Sequence, residues 1–199
     1  MAEGAAQSLT DVAAEPVAVR RLETARLILR EWQESDIAPF MEALNTPAVM
    51  RWLGGVQDEE FYRATYQRIA DCAATHGHCF WLVERKSDGM LLGFCGLKRA
   101  NVPGAPMLGD FEIGWRLRED AWGLGYAREA AEASLDAAFH QLGAPYVVAL
   151  TVAQNAASWG LMQRLGMVRA RELDFIDNRF GPEISRIITY RIARTDWTI

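Results

Sequence analysis

Cysteine and histidine are scarce in this chain, and it has no surplus of positive charge. Three cysteines (Cys72, Cys79, Cys95) and three histidines (His76, His78, His140) occur in 199 residues. An odd cysteine count without a Cys-x-x-Cys pair excludes a disulfide framework and the common paired zinc spacing. His76, His78 and Cys79 cluster, but in an expected turn with no second ligand group, so no metal is expected. Reduced thiols in a cytoplasmic protein are the plainer reading. A net charge of −5 and a pI near 5.3 speak against nucleic acid as a main partner. No apolar run is long enough to cross a bilayer, so no membrane partner is expected. The alanine-rich start lacks the basic region and apolar core of a signal peptide and is read as a flexible leader over residues 1–20. Internal repeats and low-complexity tracts are also missing.

With 50% hydrophobic residues, the remainder (21–199) has enough apolar mass for one substantial core and is expected to be a single domain. Arg26–Trp32 has strand character, and Ser35 or Asp36 caps a helix to about Leu44. Apolar residues at helical spacing (Phe61, Tyr62, Tyr66, Ile69, Ala73) predict a second helix from Asp58 to about Ala74. Phe80–Glu84 and Leu91–Leu97 flank the turn Lys86-Ser87-Asp88-Gly89 as a hairpin. Asn101–Gly109 reads as an exposed loop, and Phe111–Leu117 as a third strand. Small residues on one face (Ala127, Ala130, Ala131, Ser134, Ala138) then predict a helix that lies close on a sheet and ends at Gly143. A buried strand over Tyr146–Val152, a short helix from Asn155 to about Leu165, and a closing hairpin near 168–176 and 184–192 complete the chain. The order implies an α+β fold: a mostly antiparallel sheet with a central β-loop-α-β unit. It does not fit repeated βαβ units, and no Gly-Lys-Ser/Thr follows the glycines.

The densest signal lies where the third strand feeds the small-residue helix. Glycines at Gly123 and Gly125 expose backbone N–H groups at a helix N-terminus, a nest that favours phosphate. They could also be ordinary turn glycines. Glu112 on the preceding strand is a candidate proton acceptor or an ion-paired strand glutamate, and alternation puts it on one face with Gly114. Asn155 reads equally as a helix N-cap, and Ser158 lies one turn later on the same face.

These motifs together resemble the GNAT superfamily of acyl-CoA-dependent N-acyltransferases, from about Leu22 to the C-terminus. The family's pyrophosphate loop, Gln/Arg-x-x-Gly-x-Gly/Ala, has its match in Asp120-Ala121-Trp122-Gly123-Leu124-Gly125. Three motifs are similar to the branch of ribosomal-protein N-terminal (Rim-type) acetyltransferases: Glu-Thr-x-Arg-Leu-x-Leu-Arg (23–30), Glu-Ile-Gly-Trp (112–115) and Trp-Gly-x-Gly-Tyr-Ala-x-Glu-Ala (122–130). So is Asn155-Ala-Ala-Ser158 followed by Leu165-Gly166-Met167. The resemblance implies a GNAT fold and acetyl-CoA as co-substrate, without metal. It makes Glu112 the base and Ser158 the acid that protonates the departing thiolate. It also implies cofactor contacts at Trp115, Leu117, Trp122, Gly123, Leu124, Gly125, Tyr126, Ala127 and Asn155. For Trp115 and Leu117 the contact is through the main chain.

Two positions depart from the pattern. Asp120 replaces the family's Arg or Gln and sets an acid beside the expected diphosphate, with Arg118 or Arg128 as possible compensation. Met162 stands where many members have a proton-donating tyrosine. The implied activity is direct acetyl transfer to an amine, either a protein N-terminus or a small molecule, with an acidic pI that favours cationic acceptors. The alternative is a non-catalytic acyl-CoA-binding or regulatory module. An acceptor pocket is expected between the first two helices and the last hairpin, with Trp52, Phe61 and Phe175 as apolar candidates. A homodimer through the sheet edge or that hairpin is a further expectation.

Overall fold

The structure is a computed structural model that describes residues 17–198; most of the expected leader, residues 1–16, lies outside the described residues. Val19, inside the stretch expected as leader, is buried, donates from its N–H to Gly77 O at 2.8 Å and accepts from Trp81 Nε1 at 3.0 Å.

A nine-stranded, mostly antiparallel sheet forms the frame. In chain order its strands are β1 (Arg21–Glu23), β2 (Leu27–Arg30), β3 (Phe80–Arg85), β4 (Leu91–Arg99), β5 (Phe111–Leu117), β6 (Tyr146–Val152), β7 (Val168–Arg169), β8 (Phe175–Ile176) and β9 (Arg186–Ala193). They lie in the order β1-β2-β3-β4-β5-β6-β9-β7, with β8 also on β9. The helices are α1 (Ile37–Leu44), α2 (Pro47–Met50), α3 (Glu59–His76), α4 (Tyr126–Asp136) and α5 (Ala156–Arg164). β5 and β6 have the bounds that the sequence predicts. The expected strand 168–176 is broken by a 3-10 turn at Arg171–Leu173. There Arg169 pairs with Asp174, which in turn accepts from Thr189 N at 3.0 Å.

Each sheet face has its own cover. Strand alternation sends Phe111, Ile113 and Leu117 to the first face, where they pack with Ala130, Ala131 and Leu135 of α4 and Leu161 and Met162 of α5. Alanines let α4 approach closely, and a π turn at Ala137–Gln141 continues it. On the second face α1, α2 and α3 cover β3 and β4 through Phe40, Leu44, Val49, Tyr62, Leu82 and Phe94. Farther along that face, Val102, Ala105 and Met107 pack on Val148 of β6. The segment 101–109 is a loop, as expected, and six of its nine residues are exposed, while Val102, Ala105 and Met107 anchor it. Among the described residues no helix is long and apolar enough to cross a membrane.

Gly93 marks the tightest strand contact. Its φ is +145°, and a Cβ there would stand 2.0 Å from Arg116 O on β5. Backbone cannot move aside as a side chain can. Gly93→Ala is expected to cost at least about 2 kcal/mol in urea unfolding. A loss under about 1 kcal/mol would show that β4 and β5 can part there without penalty.

Candidate active site

The site begins with a disagreement between strands. β5 runs in full antiparallel register with β4, from Gly93↔Leu117 to Arg99↔Phe111. β6 runs in full antiparallel register with β9, from Tyr146↔Ala193 to Val152↔Ile187. Between them, parallel pairing is limited to Glu112↔Val148 and Ile113↔Ala149. From Gly114 and Leu150 onward the two strands share no ladder, so a notch opens in the middle of the sheet. The backbone of Trp115 and Leu117 borders it. Trp115 is partly buried against the first-face core, and Leu117 is buried in it.

The glycine loop lies beyond the end of β5. Gly123 and Gly125 have φ of +72° and +82°, left-handed conformations that glycine adopts without Cβ strain. Three other helices begin with a side-chain cap: Thr46 accepts from Val49 N, Asp58 from Phe61 N, and Asn155 from Ser158 N. α4 begins at Gly125 with no side-chain cap. Its first-turn N–H groups, at Tyr126, Ala127 and Arg128, have no intrahelical acceptor and carry the positive end of the helix dipole. An uncapped helix start beside a notch fits the diphosphate and arm of an acyl-CoA.

A latch from β1–β2 fixes this uncapped end. Glu129 accepts from Thr24 Oγ1 at 2.5 Å, from Arg26 N at 2.8 Å and from Arg26 Nε at 2.6 Å. Arg26 Nη1 also donates to Leu124 O at 3.0 Å, and the guanidinium lies 4.4 Å over the Tyr126 ring. Asp120 is turned to Arg118, Nε to Oδ1 at 2.5 Å, so its charge is answered within the loop. Arg128 pairs instead with Glu132. Trp122 donates to Leu117 O at 2.8 Å, while Trp122 and Leu124 leave half their surface in solvent.

On the second face of β5, Glu112 is buried and Lys98 Nζ stands 2.9 Å from its Oε2. Oε2 is shielded from solvent, and the Lys98 ammonium is the group that faces it. Lys98 Nζ is itself held by Asn101 Oδ1 at 3.0 Å. The ion-paired alternative for Glu112 is therefore part of the arrangement. Nearby, Arg179 of the β8–β9 loop grips the buried Asp177, Nη2 to Oδ2 at 2.7 Å. Hydrogen bonds from Arg179 hold the Asp177 carboxyl below its ordinary pKa, against the effect of burial.

Asn155 is the N-cap of α5, its Oδ1 3.3 Å from Ser158 N. Asn155 and Ser158 start α5 just past the unpaired end of β6, so both follow the notch. Met162 is buried in the first-face core and lines no opening. Of the apolar acceptor candidates, Phe61 packs at the second-face core and Phe175 near the 101–109 loop. Trp52 lies under the Arg51 guanidinium at 4.5 Å. Reading the sequence missed Lys98 and the Thr24–Arg26–Glu129 latch. Lys98 faces Glu112 only through the register across an eleven-residue loop, which the sequence does not encode locally.

The comparisons agree with this geometry. The acetyltransferase (GNAT) domain family matches residues 26–168, and the chain belongs to that family. Among similar proteins of Bacillus subtilis (strain 168), YkkB is 31% identical over 148 residues, covering 74% of this chain and 84% of its own. The uncharacterized N-acetyltransferase YnaD of the same organism is 26% identical over 149 residues, covering 73% and 81%. A solved acetyltransferase (GNAT family) from Bacillus anthracis superposes with a TM-score of 0.71 at 22% identity. It spans 88% of this chain and 99% of its own, and shows the common fold. The protein is a GNAT acetyltransferase.

The latch carries a pH signature. Burial pushes the Glu129 carboxyl up, but the bonds from Thr24 and Arg26 outweigh it, so its pKa lies below the ordinary carboxylate value. A lowered pKa contributes stability that is fully present above the unfolded value and fades as pH falls through the folded one. Glu129→Gln is therefore expected to destabilise the protein at pH 7, with the gap to wild type closing on acidification below about pH 4. Thermal unfolding across pH checks this; a gap that stays constant would mean the charge of Glu129 is not what holds the loop.

Proposed function

We propose that residues 21–199 form one N-acetyltransferase domain that moves an acetyl group from acetyl-CoA directly to a primary amine. The observation that carries the reading is the notch between β5 and β6 beside an uncapped, glycine-opened start of α4. Free amides at Tyr126, Ala127 and the Gly123–Gly125 loop would hold the diphosphate. The edge of β5 at Trp115 and Leu117 would pair with the extended arm, and Trp122 and Leu124 would flank it. The N–H of Trp115 would face the thioester oxygen as negative charge grows there. When bound, the thioester supplies the activated acetyl group; every other task falls to the chain.

Glu112 lies on the second face of β5 and would take the proton from the incoming ammonium, directly or through one water. Lys98 and Arg179 place positive charge near it, and the Lys98 contact would fix its position. Ser158, at the start of α5, would return a proton to the departing thiolate. Asn155 orients that turn by capping it. The motif pattern of the Rim-type branch supports a peptide N-terminus as one acceptor class and small amines as the other.

The Lys98 ion pair and the buried Met162 favour a second reading, a non-catalytic acyl-CoA-binding module. Calorimetry with acetyl-CoA, followed by thiol release against peptides and small amines, separates the two. Binding with release establishes the enzyme; binding with no release across both classes favours the module. Glu112→Gln is expected to lower turnover at neutral pH by about a hundredfold while the acetyl-CoA Kd holds. Unchanged turnover would remove Glu112 as the base. Ser158→Ala should likewise reduce turnover and spare acetyl-CoA affinity, and a loss of affinity instead would make Ser158 a binding residue.

A further inference from the structure

The second face of β5 carries one cation, Arg116, that meets the Tyr62 hydroxyl but that no carboxylate among the described residues answers. Glu112, Gly114 and Arg116 alternate along that face, while Ile113, Trp115 and Leu117 turn to the α4 side. Arg116 has no carboxylate within ion-pair distance among the described residues, although sixteen such pairs occur elsewhere in the fold. Its Nε is shielded from solvent without any acceptor. Its Nη1 reaches only Met50 Sδ at 3.4 Å, and its guanidinium lies 5.2 Å from the Phe94 ring centre. Tyr62 of α3, the other polar side chain against it, donates to the same sulfur at 3.6 Å. Burial pulls the Arg116 pKa down, as expected for a charge removed from water without a counterion. A buried, uncompensated charge is among the most costly groups a fold can hold, and an apolar side chain of similar length would fill this place at lower cost.

The position of Arg116 suggests what offsets that cost. β5 runs between the two second-face covers, the α1–α3 layer and the 101–109 loop. Where Arg116 stands, its strand has already left β6 and borders the notch. The residue keeps part of its surface open. The uncapped start of α4 lies on the opposite face, so Arg116 is not on the diphosphate side. The α2–α3 connection reaches the β8–β9 loop, with the Phe180 ring 3.7 Å from where a Cβ on Gly54 would stand. The other cations near Glu112 are already committed: Lys98 to Glu112 itself and Arg179 to Asp177.

Resting on the transferase reading above, we propose that Arg116 is the anion-binding residue of the acceptor site, and that the acceptor is an amine bearing a carboxylate. One free guanidinium matches one negative charge, and planar donor geometry suits a carboxylate. A doubly charged phosphate would leave net negative charge beside Glu112 and Asp177. Glu112 and Arg116 are four residues apart on a strand, roughly 13 Å between Cα atoms. The acceptor's amine and carboxylate are therefore separated by a spacer of several bonds. This local charge runs against the overall acidity of the chain, which on its own favours a cationic acceptor.

The test uses the full-length protein and needs no turnover. CoA is first titrated calorimetrically, and the protein–CoA complex is then titrated with N-acetyl-β-alanine, N-acetyl-4-aminobutyrate and N-acetyl-6-aminohexanoate, each beside its carboxamide. Wild type is expected to bind at least one acid at least tenfold more tightly than its amide. In Arg116→Gln that preference should vanish with the CoA Kd unchanged, and Arg116→Lys should restore part of it. If Arg116→Gln does not fold, the wild-type acid–amide comparison decides alone. Equal affinity for acid and amide, no binding of either by a protein that binds CoA, or a preference that survives in Arg116→Gln would each overturn the proposal and leave the transferase reading standing. Failure to bind CoA at all would overturn the transferase reading, and this one with it.

Discussion

Two strands that cannot stay together set up everything else in this molecule. β5 is bound along its whole length to β4, and β6 along its whole length to β9. Both outer ladders are antiparallel and unbroken, and both are anchored by the apolar first-face core. Only two residue pairs join β5 to β6, and they are parallel, the weaker pairing per residue. The twist of each half-sheet therefore goes uncorrected, and the strands diverge after Ile113. An edge left open inside a sheet is a set of unpaired donors and acceptors that a fold normally hides. Here the open edge borders the start of α4 on one face of the sheet, and Glu112 and Arg116 stand on the other.

The same logic governs α4. A helix start capped by glycine forgoes a few tenths of a kcal/mol relative to a Ser, Asp or Asn cap. This chain supplies such caps to α2, α3 and α5 but not to α4. What holds α4 in place is displaced by one turn: Glu129 ties it to Thr24 and Arg26, and buried alanines seat its underside. The support is thus moved off the first-turn amides and onto the flank of the helix. Rigidity and vacant donors coexist because different atoms provide them. A preorganised anion site needs both.

Much of this was legible in the sequence. Gly123 and Gly125 at a strand–helix junction announced the loop, and the bounds of β5 and β6 followed from their apolar runs. Local chemistry sets those features, so local reading recovers them. The divergence of β5 from β6 is different in kind, because it depends on which strands lie outside the pair and on the register each one holds. The Lys98–Glu112 pair and the Arg26–Glu129 latch join residues far apart in the chain, fourteen and one hundred and three positions respectively. Nothing local in the sequence distinguishes Arg116 from any other strand arginine. Its lack of a counterion is visible only once every neighbouring element has been placed. The 101–109 loop was legible as an exposed loop, but Gly and Pro, which mark a turn, do not say whether Val102, Ala105 and Met107 find a surface to cover.

The two departures from the family pattern resolve in opposite ways. Asp120 sits at the position that should help hold a diphosphate, and an unpaired acid there would repel it. Arg118, two residues earlier, takes that carboxylate at 2.5 Å. The pair is close to neutral toward a ligand, so the backbone amides of the loop are left as the principal attraction. That is consistent with an α4 start kept free of any side-chain cap. Met162, by contrast, is not compensated in place: it has been absorbed into the first-face core between sheet and α5. In the proposed reaction, thiolate protonation falls instead to Ser158, on the first turn of α5 behind its Asn155 cap. The fold has kept the site's backbone geometry and redistributed its side-chain charges. The backbone is therefore the firmer guide to where the reaction takes place, and the unpaired charges to what it takes as substrate.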